Sequence, residues 1–167
     1  MIKSNIARDA LERWLSQSVD ILNNELNSTF SYLGEQAVTK IRDRSGSDSW
    51  YDQTGNLRSS IGYMVLNDGR KLIESAFKIV AGPNATQESN GTQGAEKGRR
   101  YLEELSKSYS DSYALCVVAG MDYASYVESM DNKDVLASTK LWVDSVFEGF
   151  IKKSVERALK KINAIEL

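Results

Sequence analysis

Residues 5 to 43 leave this chain little freedom. Ile6, Ala10, Trp14, Ser18, Leu22, Leu26, Phe30, Leu33, Ala37 and Ile41 step by three or four, and Leu11, Leu15, Val19 and Val38 widen the stripe. That spacing is one face of an amphipathic α-helix, and no proline interrupts it. At 1.5 Å per residue such a helix is on the order of 55 Å long, more than the diameter of a compact domain of this size. Either it breaks near Asn23-Asn24 or Gly34, or another subunit covers part of its apolar face.

The rest of the chain reads as arranged to pack against a corner at Tyr113–Met130. Ser45-Gly-Ser-Asp-Ser49 is a turn-forming linker. Trp50 and Tyr51 follow, aromatic residues in a polar stretch that look exposed and are candidate interface residues. Thr54 is placed to cap a helical turn through Leu57-Arg58, and Gly55 permits a tight backbone approach. A strand follows, with Ile61, Tyr63 and Val65 on one face and Met64 and Leu66 on the other. Asn67-Asp-Gly-Arg70 is a hairpin signal, and the return strand is expected over Leu72 to Val80. Residues 82–98 hold four glycines and the only proline, and read as a long mobile loop. A helix from about Ala95 or Arg99 to Ser108 comes next.

Tyr113-Ala-Leu-Cys-Val-Val-Ala-Gly120 is an apolar run that predicts a strand buried on both faces, closed at Gly120. The period then changes. Tyr123, Tyr126, Val127 and Met130 share one face of a short helix, with Asp122 as its N-cap. After the polar turn Asp131-Asn-Lys-Asp134, the last helix starts near Leu136 or Ala137. Val143, Val146, Phe147, Phe150, Ile151, Ala158, Leu159 and Ile162 make its stripe, and a solvated basic face its other side. The order predicts an α+β fold. A small, mainly antiparallel sheet is packed by long N- and C-terminal helices, in a single domain over 1–167 with a flexible loop.

Composition narrows the function. The chain has 167 residues, net charge −2 and no histidine, so the commonest general base and neutral metal ligand are missing. The single cysteine, Cys116, lies in the apolar strand and reads as a buried small hydrophobe. An acidic chain gives no reason to expect sequence-specific nucleic-acid binding, and no run approaches the ~20 apolar residues of a membrane span. No secretory signal is expected at Met1-Ile-Lys-Ser-Asn-Ile6. Ser75-Ala-Phe-Lys78 has a Ser-x-x-Lys spelling, but on a strand its ends point to opposite faces. Glu128, Asp131 and Asp134 match no calcium loop. No catalytic, cofactor or metal residues are expected.

Two stretches carry a resemblance. Thr54-Gly-Asn-Leu-Arg-Ser-Ser-Ile61 leads into a strand, and Gly120-Met-Asp-Tyr-Ala-Ser-Tyr-Val-Glu128 follows one. In that order they resemble the signature stretches of the small neck and tail-completion proteins of long-tailed bacteriophages, also described as minor tail components or head–tail connectors. The resemblance covers residues 50 to 130 in detail and the flanking helices in outline. It departs after Glu128, where many members continue with Gly-Thr and a proline-rich segment. It implies a virion structural protein without catalysis, assembled in the host cytoplasm. Other neck and tail proteins would be its partners, with a homo-oligomeric ring in the virion, a monomer alone, and DNA passing nearby. Thr54, Gly55 and Leu57 would shape a turn, Arg58 would pair with Glu128, and Gly120, Tyr123, Tyr126 and Glu128 would hold the strand-to-helix corner or face a neighbour. Two other classes stand beside it: a non-viral cytosolic adaptor docking through the long helix, and an enzyme built on converging carboxylates such as Asp122 and Glu128.

Overall fold

A computed structural model describes residues 2–44, 50–130 and 133–165, so the predicted linker at 45–49 and the turn residues 131–132 lie outside it. The architecture is α+β, with long helices at both ends of the chain and a small antiparallel sheet between them. The helix α1 (Ile2–Asp43) is unbroken, at Asn23-Asn24 and at Gly34 alike. The last helix, α5, is Ala137–Ile162. The chain forms two compact units, Phe30–Ser145 and the pair Met1–Thr29 with Val146–Leu167, and both long helices contribute to each.

The Phe30–Ser145 unit holds the sheet. Its strands are β1 (Ile61–Asn67), β2 (Arg70–Glu74) and β3 (Tyr113–Ala119), in the order β2-β1-β3 with both pairings antiparallel. The hairpin forms where Asp-Gly predicts it: Asp68 has φ 49 and Gly69 φ 72, the positive values that match the turn to the strands' twist. β1 is central and is buried along Ile61 to Leu66. The strand buried on both faces is therefore β1. β3, predicted for that role, is an outer strand whose Tyr113, Leu115 and Val117 stay half-buried.

Alternation along β1 sends its side chains into two cores. Met64 and Leu66 pack with Phe77, Cys116 and Val118 against Ala95 and Leu102 of α3 (Thr92–Ser106). Tyr63 points the other way, onto α1. A Cβ on Gly34 would stand 2.4 Å from its ring, so glycine sets how closely helix and sheet approach. Leu33, Ala37 and Ile41 of α1 are buried on that side.

Two predicted boundaries shift. β2 ends at Glu74 instead of Val80, because serine hydroxyls replace the ladder. Ser75 Oγ accepts the Tyr63 N–H at 2.9 Å, Ser59 Oγ accepts the Val80 N–H at 2.9 Å, and Phe77 turns into the core between them. The 82–98 loop is also shorter, since α3 begins at Thr92. Gly94 and Gly98 are not flexible spacers but the close-packing face of that helix. A Cβ on Gly94 would lie 1.9 Å from the Asn56 carbonyl oxygen, and one on Gly98 would lie 2.4 Å from that of Ser60. Residues 82–91 are tied down as well. Asn84 donates its N–H to the Gln53 carbonyl, and Asn56 binds both Ser89 and the Gly91 N–H.

The Met1–Thr29 and Val146–Leu167 unit is a pair of helices. Glu25 takes Arg157 Nε at 2.8 Å and Lys161 Nζ at 2.6 Å, and Arg157 also donates to Thr29 Oγ1. Stepping back along α1 thus steps forward along α5, so the two run antiparallel. Part of the basic face predicted as free solvated charge is engaged here. The two cations hold the Glu25 carboxyl below its ordinary pKa, with Lys161 the larger cause and burial opposing.

Candidate functional site

The two signature stretches lie far apart in sequence and meet in the fold. The first is preceded by Asp52, whose carboxylate accepts the Gly55 N–H and the Arg58 N–H, both at 3.0 Å. That acceptor starts the single turn α2 (Asn56–Ser59). Thr54 contributes only a long contact, 3.4 Å, to the Asn56 N–H, so the capping predicted for Thr54 falls mainly to Asp52. Gly55 sits at φ 90, and a Cβ there would stand 1.8 Å from the Val80 carbonyl oxygen. Only glycine suits that position. Leu57 is buried beneath the turn.

The second stretch closes onto it. The Gly120 N–H donates to the Ser60 carbonyl at 3.1 Å, and a Cβ on Gly120 would lie 2.4 Å from the Cα of Gly98. The Tyr123 side chain hydrogen-bonds that of Thr54. Burial and the Asp52 charge raise the Tyr123 phenol above its ordinary pKa, and the Thr54 hydrogen bond partly opposes them.

The helix α4 (Ala124–Ser129) departs from its predicted face. It buries Ala124, with Met121 ahead of it, and leaves Tyr123, Tyr126 and Met130 at 40%, 65% and 39% exposure. Asp122 is not its cap. The residue ahead of the helix is Tyr123, and Asp122 pairs with Lys97 of α3.

Glu128 also has a different partner from the one expected. Its carboxylate accepts the N–H groups of Val135 and Leu136 at 2.8 Å and of Ala137 at 2.9 Å. It thereby satisfies the start of α5, where free N–H groups and the helix dipole both favour an anion. Arg58 instead lays its guanidinium over the Trp50 ring, 5.6 Å from the centroid. The Arg58–Glu128 pair does not form.

Trp50 is 1% exposed and belongs to the core, whereas Tyr51 is 62% exposed. The interface expectation thus fails for Trp50 and stands open for Tyr51. Tyr51, Asp52, Gly55 and Arg58 line a shallow pocket with Val80 to Pro83, about 190 Å³ in volume. That is below the ~300–1,000 Å³ typical of small-molecule sites. Asp134, read as a polar turn residue, accepts the Ser138 N–H and pairs with Arg44.

Sequence reasoning found the residues that meet, but missed Asp52 and the glycine contacts. Asp52 had a readable signal, an acceptor three residues ahead of Gly55 at the head of a turn. Gly94 and Gly98 had one too, their helical spacing of four. Among the described residues no cluster of His, Cys, Asp or Glu side chains could hold a metal ion, and no helix is long and apolar enough to cross a membrane. Comparison with family models, curated proteins and solved structures gives no match.

Proposed function

We propose that this chain is a structural subunit of the neck or tail of a long-tailed bacteriophage, acting by oligomeric assembly and not by catalysis. The reading rests on the resemblance of the two signature stretches. One observation supports it: the stretches join into a single corner through Gly120 to Ser60 and Tyr123 to Thr54. A corner built by both stretches accounts for their occurring together in that order. It leaves Tyr51 and Tyr126 outward, and tyrosine supplies large contact area at low entropic cost, as docking surfaces need. Neighbouring neck and tail proteins are the partners in this reading, with a ring as the assembled form. An acidic subunit suits a passage through which DNA slides without sticking.

A pull-down of the tagged protein from infected or induced host lysate, with mass spectrometry, tests the proposal. Recovery of tail-tube, tail-end or head-closing proteins is the expected result. Host proteins alone, with the chain absent from purified virions, would point to the non-viral adaptor. Tyr126→Ala should leave the melting temperature unchanged and reduce recovery of the neighbours.

A further inference from the structure

The Phe30–Ser145 unit closes its core but leaves one edge of its sheet open. β1 is central, so β2 and β3 are both edges. Two bonds at the ends of β3 show which way its main-chain groups point. Gly120 N–H donates to the Ser60 carbonyl, and Asp68 N–H to the Ser112 carbonyl. The register between them is unbroken, so the main-chain groups of Ala114, Cys116 and Val118 face β1, and those of Leu115 and Val117 face away. Among the described residues, no hydrogen bond takes up the outward N–H and C=O of Leu115 or Val117.

The two edges are built differently. β2 is five residues long, carries Arg70, Lys71 and Glu74, and skips Leu72 in its register with β1. Charge, a bulge and short length are what keep an edge from pairing with another chain. β3 has none of them: Tyr113–Ala119 is seven residues without charge, proline or bulge. Its side chains are uncharged on both sides of the sheet. Cys116 and Val118 join the α3 core. Tyr113 sets its ring 4.8 Å from that of Phe30 in α1, and Leu115 and Val117, on the same side, stay half-buried.

We infer that β3 pairs with β3 of a second copy, antiparallel and about a two-fold axis at Cys116. An open row of N–H and C=O groups is matched only by another extended main chain. The added strand has to be uncharged on both faces, because it prolongs two apolar layers. Among the described strands only β3 meets that requirement, since β2 brings charge and a bulge, and a second copy supplies β3 at the chain's own concentration. With the axis at Cys116, Leu115 and Val117 of the second copy exchange N–H···O=C bonds, and their half-buried side chains cover each other on the α1 side. Ala114 then faces Val118 on the α3 side, so no charge is opposed along the strand. Such an axis stands perpendicular to the sheet and keeps the helices of both copies on matching faces. Two three-stranded sheets become one of six strands, within the usual size. A two-fold contact does not close a ring, so this pairing and the phage reading can each fail alone.

Residue-resolved amide exchange and sedimentation of the full chain test it. In dilute protein the Leu115 and Val117 N–H groups should exchange freely, while those of Cys116 and Val118, bonded to β1, are protected. As concentration rises, the mass should approach two copies, and exchange at Leu115 and Val117 should slow by roughly tenfold or more. Isotope-labelled chains mixed with unlabelled ones should then show contacts from Leu115 to valine of the other copy. Val117→Pro removes an outward N–H and spares the β1 ladder, and Val117→Lys puts a charge on the edge. Both variants should stay monomeric with the Val118 N–H still protected. A monomer mass up to millimolar concentration, with Leu115 and Val117 exchanging freely, would overturn the pairing and leave the edge to a strand of another protein. A dimer that persists in both variants, or that protects neither outward amide, would overturn it as well. Contact of Leu115 with Leu115 would overturn the position of the axis.

Discussion

The Phe30–Ser145 unit fully buries Trp50, Leu33, Ile41, Ile61, Met64, Leu66 and Leu102. The helix pair of Met1–Thr29 and Val146–Leu167 buries Glu25, Thr29, Ser154 and Ala158, and no large apolar side chain among its described residues. Three of its leucines lie outside: Leu11, Leu15 and Leu159 are 49%, 49% and 51% exposed, while Leu22 and Leu26 are half-buried. One unit is closed by its own sequence. The other combines an ion cluster and small side chains with half-buried Leu22, Leu26, Phe150 and Ile151, and keeps part of its apolar surface exposed. Stability is unevenly spread in such a molecule, and the weaker unit is where partners have most to add.

Identical substitutions should expose that difference most strongly. A Cβ on Gly120 would stand 2.4 Å from Gly98, backbone against backbone, so nothing flexible can yield. Gly120→Ala should cost about 3 kcal/mol or more, or prevent folding. Gly149 has nothing within 4 Å of the added carbon. Gly149→Ala, in the middle of α5, should stabilise by about 0.5–1 kcal/mol. Chemical denaturation of the two variants checks the sign. A stabilising Gly120→Ala would break the comparison.

Leucine truncation should sort the same way with a smaller spread. Leu33 is 0% exposed, and Leu33→Ala should lose about 2–5 kcal/mol. Leu15→Ala should change stability by no more than about 0.5 kcal/mol. A large loss from Leu15→Ala would mean that this unit has a core of its own.

Glu128 tests how the corner is tied to the following helix. Its three backbone acceptances, from Val135, Leu136 and Ala137, act beside Asp134, which accepts the Ser138 N–H, to satisfy the start of α5. Glu128→Ala should cost about 1–2 kcal/mol, read by thermal melting. Arg58→Ala should not reproduce that loss, since Arg58 touches Trp50 and not Glu128.

What was legible in the sequence follows from what each level of structure needs. α1, α5 and the hairpin rest on local periodicity and on Asp68-Gly69, so they could be read directly. The start of α3 could not, because its glycines resemble a loop by composition. Their packing role depends on Asn56 and Ser60, more than thirty residues away. β2 was overextended because alternation from Leu72 to Val80 is a true β signal. What ends the strand is a side-chain choice, Ser75 and Ser59 taking the main-chain N–H groups. At the candidate site the two stretches were legible as patterns. Their meeting was not, nor was the partner of Glu128, since charge alone made Arg58 the obvious choice.

Titration should separate the two units with the smallest effects. The Glu25 carboxyl in the folded chain lies below its ordinary value of 4.5. Its contribution is therefore complete above the unfolded value and is lost as pH falls below 4.5 through the folded one. Arg157 and Lys161 are 51% and 62% exposed, so screening limits each pair to about 1 kcal/mol or less. Tyr63, in the other unit, works in the opposite direction. Burial first, then the Glu35 carboxylate, raise its phenol from 10.0 to about 12. The unfolded chain loses that proton first, so stability is complete below pH 10 and declines towards 12. Hydrogen exchange resolved by peptide should show acid loosening residues 8–29 and 146–165 through Glu25, and the other unit through Asp122 and Asp134, whose carboxyls are also lowered, while alkali acts first around Tyr63. Glu25→Gln should remove the acid response of residues 8–29 and 146–165 and leave the alkaline one. If Glu25→Gln instead changes the acid response of both units alike, they fold as one cooperative body, and the distinction between a closed unit and an open one does not hold.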